Sequence, residues 1–167
     1  MKKYGKKQEL IIIAAVAKNN VIGNKGKIPW HIREEFEHFK NTTLNHIVLM
    51  GKNTWFSLPS KYRPLPNREN IVLSQEPLVG DCKVCSSLNE ALKYCKKFPE
   101  KKIFICGGAS IYLQTIDLAD KMILSQISEE FQGDTYFPQF DKKKWKLISE
   151  ENKEKFVIKI YQKLNQI

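Results

Sequence analysis

The chain has 167 residues, 42% of them hydrophobic and 11% aromatic, with a formal net charge of +10. That length suits one domain, and the apolar content can build a core, which excludes a disordered chain. No apolar run approaches the ~20 residues a membrane span needs, and no segment repeats. The charge sits at the ends. Residues 1–7 carry +4 and residues 142–167 carry +5, which leaves +1 for 8–141. The body is therefore not a basic patch with a fold attached. Solvated lysine is the plain reading of both ends, so a nucleic-acid partner is not expected. Residues 1–7 read as a lysine-rich tail and 8–167 as a single domain.

The first element is Leu10–Ala17 (LIIIAAVA). Lysines before it and Ala15-Val16-Ala17 at its end imitate a secretory signal. The run is too short, however, Glu9 adjoins it, and Ile11, Ile12, Ile13 and Val16 favour a buried strand. We read a strand and a cytoplasmic protein. Further strand signals fall at 46–50, 70–74, 103–106 and 121–128, and helix signals at 32–43, 53–58, 87–97 and 109–117. Short apolar strands alternating with helices argue an α/β domain with a largely parallel sheet covered on both faces. Residues 145–149 and 155–163 have no helix between them and suit an antiparallel hairpin at the sheet edge. Loops are expected at 18–31, 59–68 and 129–141. Cys82-x-x-Cys85 has no second pair at metal spacing, so Cys82, Cys85, Cys95 and Cys106 are expected as reduced thiols and no metal site is expected.

Five stretches could carry chemistry. On the helix at 32–43, Ile32, Phe36, Phe39 and Thr43 form an apolar stripe, with Glu34, Glu37 and His38 opposite. Glu35 falls at the border of the inward face, where a carboxylate is costly unless paired. A rim residue reaching water, or a structural ion pair, is the bland alternative. In Ile103–Tyr112 (IFICGGASIY) a strand meets Gly107-Gly108 and a helix starts at once. That suits either a pyrophosphate or merely a tight turn. Met50–Trp55 (MGKNTW) repeats the build, with Gly51 closing a strand, Lys52 adding charge and Asn53 equally readable as a helix cap. Two such sites on neighbouring strands suit a dinucleotide. Val21–Trp30 (VIGNKGKIPW) could close over a ligand. Arg63-Pro-Leu-Pro-Asn-Arg68 offers two guanidinium groups to a carboxylate or phosphate, or only surface arginines. His31, His38 and His46 have neither a nucleophile motif nor metal spacing.

In this order and spacing, IIAAVAKNNVIG, the G-x-I-P-W stretch, the carboxylate helix ending FKNTTLN, MGKNTW, RPLPNRENIVLS, ICGGASIY and GDTYFP resemble dihydrofolate reductase from about Leu10 to the C-terminus. The resemblance implies a mostly parallel eight-stranded sheet with an antiparallel C-terminal strand and flanking helices. It implies NADPH-dependent reduction of 7,8-dihydrofolate, and antifolates as inhibitors. Glu35 would anchor the pterin and promote protonation of N5 through water. Trp30 would hold a water, Ser125 would hydrogen-bond near Glu35, and Ile28 would sit in the closing loop beside the nicotinamide.

The resemblance also assigns the pocket walls. Ile13, Phe36, Phe39, Leu58 and Leu65 would pack on the substrate rings. Arg68 would pair with the glutamate carboxylate, with Lys40 and Arg63 as nearby charges. Ala15, Ile22, Gly23, Asn24, Lys27 and Ile28 would lie along the nicotinamide and the closing loop, which Asp134 would hydrogen-bond. Gly51, Lys52, Asn53, Thr54, Ser74 and Gln75 would hold the adenosine phosphates. Gly107, Gly108, Ala109 and Ser110 would cradle the pyrophosphate, with a cis bond between the glycines; Tyr112 would approach the nicotinamide, and Cys106 and Ile111 would also belong to the cofactor site.

There are departures. Glu35 stands where most bacterial members carry Asp. Lys52 stands where many have Arg, so the 2′-phosphate loses a bidentate fork. Ile28 replaces a common Met or Leu, Cys106 replaces Ile or Val, and three residues lengthen the loop before Arg63. A related pteridine or pyrimidine reductase of the same fold would keep the cofactor sites without needing Glu35 and Arg68. A non-catalytic basic binding protein would show salt-dependent nucleic-acid binding without NADPH affinity. A monomer with no fused thymidylate synthase is expected.

Overall fold

The computed structural model describes residues 6–165; most of the lysine-rich tail expected at 1–7 lies outside the described residues. In chain order the strands and helices are β1 (Leu10–Val16), β2 (Val21–Gly23), α1 (Arg33–Thr43), β3 (Ile47–Gly51), α2 (Lys52–Ser57), β4 (Glu69–Leu73), β5 (Lys83–Cys85), α3 (Leu88–Cys95), β6 (Ile103–Ile105), α4 (Ala109–Thr115), β7 (Lys121–Ile127), β8 (Thr135–Tyr136), β9 (Trp145–Asn152) and β10 (Phe156–Lys163). Short 3-10 turns cover Ser60–Tyr62 and Lys142–Lys144.

Eight strands form one sheet in the order β5-β4-β3-β6-β1-β7-β10-β9. The six from β5 to β7 run parallel. β10 is antiparallel to β7 and to β9, which ends the sheet. The mostly parallel sheet and its antiparallel C-terminal hairpin agree with the sequence reading. Parallel strands need a crossover on a sheet face, so both faces are covered and successive residues of a strand are both buried. In β1, Leu10, Ile12 and Ala14 enter a core with α3 and α4 residues such as Ala91, Cys95 and Tyr112. Ile11 and Ile13 enter a second core on the opposite face with Val48, Met50, Trp55 and Phe104.

Four elements differ from expectation. β5 was not expected; it is three residues at the sheet edge with only Cys85 buried, too little pattern to register. β2 and β8 fall inside the loops expected at 18–31 and 129–141 and pair only with each other. The inward stripe of α1 is also turned by one position. Glu35 and Thr43 are its buried residues, with Phe39 half-buried between them. Phe36 is 37% exposed, and His38, expected on the solvated face, is half-buried.

Candidate active site

The C-terminal ends of β1, β3, β4 and β6 open into a cleft of about 1180 Å3, on the side where an open α/β sheet receives ligands. At one end the cleft is lined by Ile13 and Ala15 from β1, Glu35, Phe36 and Phe39 from α1, and Leu58, Leu65 and Cys106. This end is apolar apart from one carboxyl. Glu35 is 6% exposed. Burial raises its pKa to about 7, against the opposing influence of the Ser125 hydroxyl from β7. The acid is thus shared between its neutral and charged forms near neutral pH. Helix α1 is braced from behind: Lys153, in the β9–β10 turn, lies 3.6 Å from Glu34 and 2.9 Å from Glu151.

Trp30 is buried against Phe131, with ring centroids 5.2 Å apart. Its indole N–H is buried without a protein partner among the described residues. Such a donor costs stability unless a water or ligand accepts from it.

The middle of the cleft is built on the double glycine after β6. The Gly107–Gly108 peptide is cis, and the Gly107 carbonyl accepts from the Gly51 amide at 2.8 Å, joining the ends of β6 and β3. Gly107 has φ +111°, and a Cβ there would lie 3.3 Å from the Tyr112 hydroxyl. A side chain at Gly107 would therefore be strained by the backbone and would press on the buried Tyr112 ring. Tyr112 itself is buried, and its hydroxyl donates to the Ile13 carbonyl at 2.8 Å.

One wall is the loop after β1. The β2–β8 ribbon holds it, with the Asp134 amide donating to Gly23 O at 3.1 Å and the Lys25 amide donating to Asp134 Oδ2 at 3.1 Å. Ile22, Gly23, Lys27 and Ile28 face the cleft from this loop.

The far end is polar. Lys52, Asn53 and Thr54 begin α2 and face Ser74, Gln75, Glu76, Ser86 and Ser87. Lys52 Nζ lies 2.6 Å from Glu76 Oε2. The resulting cleft has a buried acid at the apolar end, a double-glycine turn in the middle and a polar far end.

The family model described as dihydrofolate reductase matches residues 9–163. The chain belongs to the dihydrofolate reductase family. Among its relatives, the dihydrofolate reductase of Bacillus subtilis (strain 168) is 40% identical over 141 residues, covering 83% of this chain and 81% of that protein. That of Staphylococcus haemolyticus is 37% identical, covering 86% and 84%. That of Sus scrofa is 38% identical, covering 83% of each. The chain is thus a member of an oxidoreductase family, and bacterial and vertebrate reductases match it about equally.

Most residues singled out from the sequence line this one cleft, including the whole run Gly51–Thr54 and the whole run Cys106–Tyr112. Six stand behind or beside its walls. Trp30 and Ser125 are buried next to it, and Asn24 pairs with Lys27 inside the loop. Lys40 is exposed on α1. Arg63 lies over the Phe56 ring at 5.6 Å. Arg68 donates to the Pro66 carbonyl at 2.9 Å and to Thr43 Oγ1 at 3.2 Å, and no carboxylate lies within 4.0 Å of it among the described residues. It is an oriented cation without a counter-charge. Glu76, Phe56, Ser86, Ser87 and Gln114 also line the cleft. Glu76 was findable in principle, because it follows the C-terminal end of a parallel strand, as Gly107 does.

Proposed function

We propose that this protein reduces 7,8-dihydrofolate to 5,6,7,8-tetrahydrofolate with NADPH. The observation that carries the reading is Glu35: one carboxyl, buried at the apolar end of the cleft, with a pKa raised to about 7. In its charged form it accepts hydrogen bonds from the pterin amino group and adjacent ring N–H. In its neutral form it holds the proton that N5 takes up, delivered through water. The nicotinamide, when bound, supplies the hydride that C6 receives.

The chain's own residues do the rest. Ile13, Phe36, Phe39, Leu58 and Leu65 supply an apolar slot for the flat rings. Trp30 offers its unpartnered N–H to the water beside N5, and Ser125 keeps Glu35 oriented. Arg68 receives the α-carboxylate of the substrate's glutamate tail. The Gly107–Gly108 turn and the start of α4 support a pyrophosphate, and Lys52 with Thr54 supports the adenosine end. The loop carrying Ile28 excludes water from the reacting rings. The reading extends to a cytoplasmic monomer; among the described residues no helix is long and apolar enough to cross a membrane.

The test mixes the purified protein with NADPH and dihydrofolate and follows loss of reduced-nicotinamide absorbance, with Glu35→Gln alongside. Dihydrofolate-dependent oxidation that collapses at neutral pH in the variant is the expected result. NADPH binding without any dihydrofolate-dependent oxidation would overturn the assignment in favour of another reductase of this fold.

A further inference from the structure

The two lysine-rich ends of the sequence meet at one end of the fold. Lys7 Nζ lies 3.3 Å from the Asp120 carboxylate. That carboxylate also accepts from the Leu10 amide at 2.9 Å, and the Asp120 carbonyl accepts from the Lys163 amide at 3.0 Å. Asp120 thus joins the start of β1 to the end of β10. Lys142–Lys144 form a 3-10 turn capped by the Asp141 side chain. The Leu164 amide donates to the Lys144 carbonyl at 2.8 Å and fixes this turn to the end of β10. Lys163 Nζ donates to the Asp117 carbonyl and lies 5.8 Å from the centre of the Trp145 ring. Asp117, Lys144, Lys163 and Leu164 line a recess of about 220 Å3.

This surface faces away from the cleft. β7 begins at Lys121 and runs parallel to β1, so its first residue lies at the sheet end opposite the cleft. Gln162 of β10 pairs with Lys121, and Trp145 of β9 pairs with Lys163. Lys7, Lys142, Lys143, Lys144, Lys146 and Lys163 gather there against Asp117, Asp120 and Asp141. Apart from Lys7, none of these lysines has a carboxylate within 4.0 Å among the described residues. Lys102 and Lys121, by contrast, are matched by Glu9. Lys2, Lys3 and Lys6 precede Lys7 in the sequence and add to the charge of the segment that enters the fold here.

Aliphatic side chains stand among the lysines. Leu118, next to Asp117, is 51% exposed, Leu164 is 45% exposed, and Leu147, next to Lys146, is 42% exposed. Ammonium groups around exposed leucines match a surface that is anionic outside and apolar beneath. Nucleic-acid recognition draws instead on arginine forks and exposed rings. This patch holds no arginine, and its Trp145 is buried.

We propose that this end of the protein is a docking surface for an anionic lipid bilayer. The lysines meet the phosphate headgroups, and Leu118, Leu147 and Leu164 enter the boundary with the acyl chains. A protein docked in this way holds its cleft open to solution. The proposal goes beyond the reductase reading and does not depend on it.

The test uses the full chain and vesicles of mixed phosphatidylglycerol and phosphatidylcholine. Vesicles of phosphatidylcholine alone and a single-stranded RNA of mixed sequence are run alongside. Affinity is read for wild type, for the triple variant Lys142→Gln, Lys143→Gln, Lys144→Gln, and for the double variant Leu118→Ser, Leu164→Ser, each checked by circular dichroism. Wild type is expected to bind the mixed vesicles at physiological ionic strength and not the neutral ones. A lysine beside an anionic surface contributes about fivefold in affinity, so the triple variant should bind about 100-fold more weakly. The double variant should weaken vesicle binding several-fold and leave any RNA binding unchanged. Absence of binding to the mixed vesicles, equal binding to neutral ones, or a triple variant within about twofold of wild type overturns the proposal. So does RNA bound more tightly than the mixed vesicles, which would make the patch a nucleic-acid surface.

Discussion

The Tyr112 hydroxyl donates a 2.8 Å hydrogen bond to the backbone carbonyl of Ile13, so the helix that follows the double glycine is tied to the strand that lines the apolar end of the cleft. Both groups are buried, and the bond links the two halves of the cleft. Tyr112→Phe leaves the Ile13 carbonyl without that donor. The expected cost is about 1–3 kcal/mol, the scale of a buried group left unsatisfied, read from urea unfolding. A loss of NADPH affinity should accompany it, read by equilibrium titration. A variant as stable as wild type would show that another donor satisfies the carbonyl.

Glu35 makes stability depend on pH. Its pKa rises from 4.5 to about 7 on folding, because burial penalises the charge. The folded state therefore holds a proton that the unfolded chain releases first. The associated stability is fully present below about pH 4.5 and is lost as pH rises through about 7, roughly 3 kcal/mol in all. Urea unfolding of the free protein at pH 5 and pH 8 should show this decline in wild type. Glu35→Gln should remove most of it and be the more stable of the two at pH 8.

The proposed role of this acid predicts a pH profile of activity. With Glu35 as proton source, kcat/KM for dihydrofolate should fall above about pH 7. Glu35→Asp, which keeps a carboxyl on a shorter arm, should retain a profile of the same shape at lower rate. A profile flat from pH 6 to 9 in wild type, read under conditions where chemistry limits the rate, would remove Glu35 from the proton path.

Arg68 is oriented by Thr43 and Pro66 and has no carboxylate within 4.0 Å among the described residues. Arg68→Gln should raise KM for dihydrofolate by roughly 10- to 100-fold, the loss of a charge-assisted pair, with kcat little changed. A pterin substrate lacking the glutamate carboxylate should be indifferent to the substitution.

Asp134 holds the loop over the cleft through the Lys25 amide and the Gly23 carbonyl. Asp134→Asn weakens the first of these and keeps the backbone bond. The expected effect is faster release of NADPH, measured by stopped-flow competition, with little change in thermal stability, because the carboxyl is exposed.

The long strands were legible because their burial on both faces leaves unbroken apolar runs, as in Leu10–Val16 and Ile47–Gly51. Lys83–Cys85 was not, since three residues at an edge bury one side chain and leave no period to detect. The β2–β8 ribbon was hidden for another reason. Val21 pairs with Tyr136 over a separation that no local pattern spans. The error on α1 is the instructive one. Periodicity assigned Phe36 to the core and Glu35 to its edge, whereas the fold buries the carboxyl and leaves the phenylalanine lining the cleft. A ligand-binding face inverts ordinary patterning, so sequence reasoning slips by one residue where function is concentrated. The pocket walls themselves came from the resemblance; hydrophobicity alone would not have brought Leu58 and Arg68 to the same end.

The position of β1 has a consequence for how the chain assembles. It is first in sequence but central in the sheet, and both of its neighbours arrive late: Ile11 pairs with Phe104 on one side and Lys121 on the other. A nascent chain stalled before residue 103 would hold its most apolar strand with neither lateral partner. The sheet closes only when β6 and β7 have been made, which puts loop closure over most of the polypeptide ahead of the central pairing and favours slow, late-committing folding. The floor under Glu35 is therefore among the last parts of the molecule to be completed, although its strand is among the first to be synthesised.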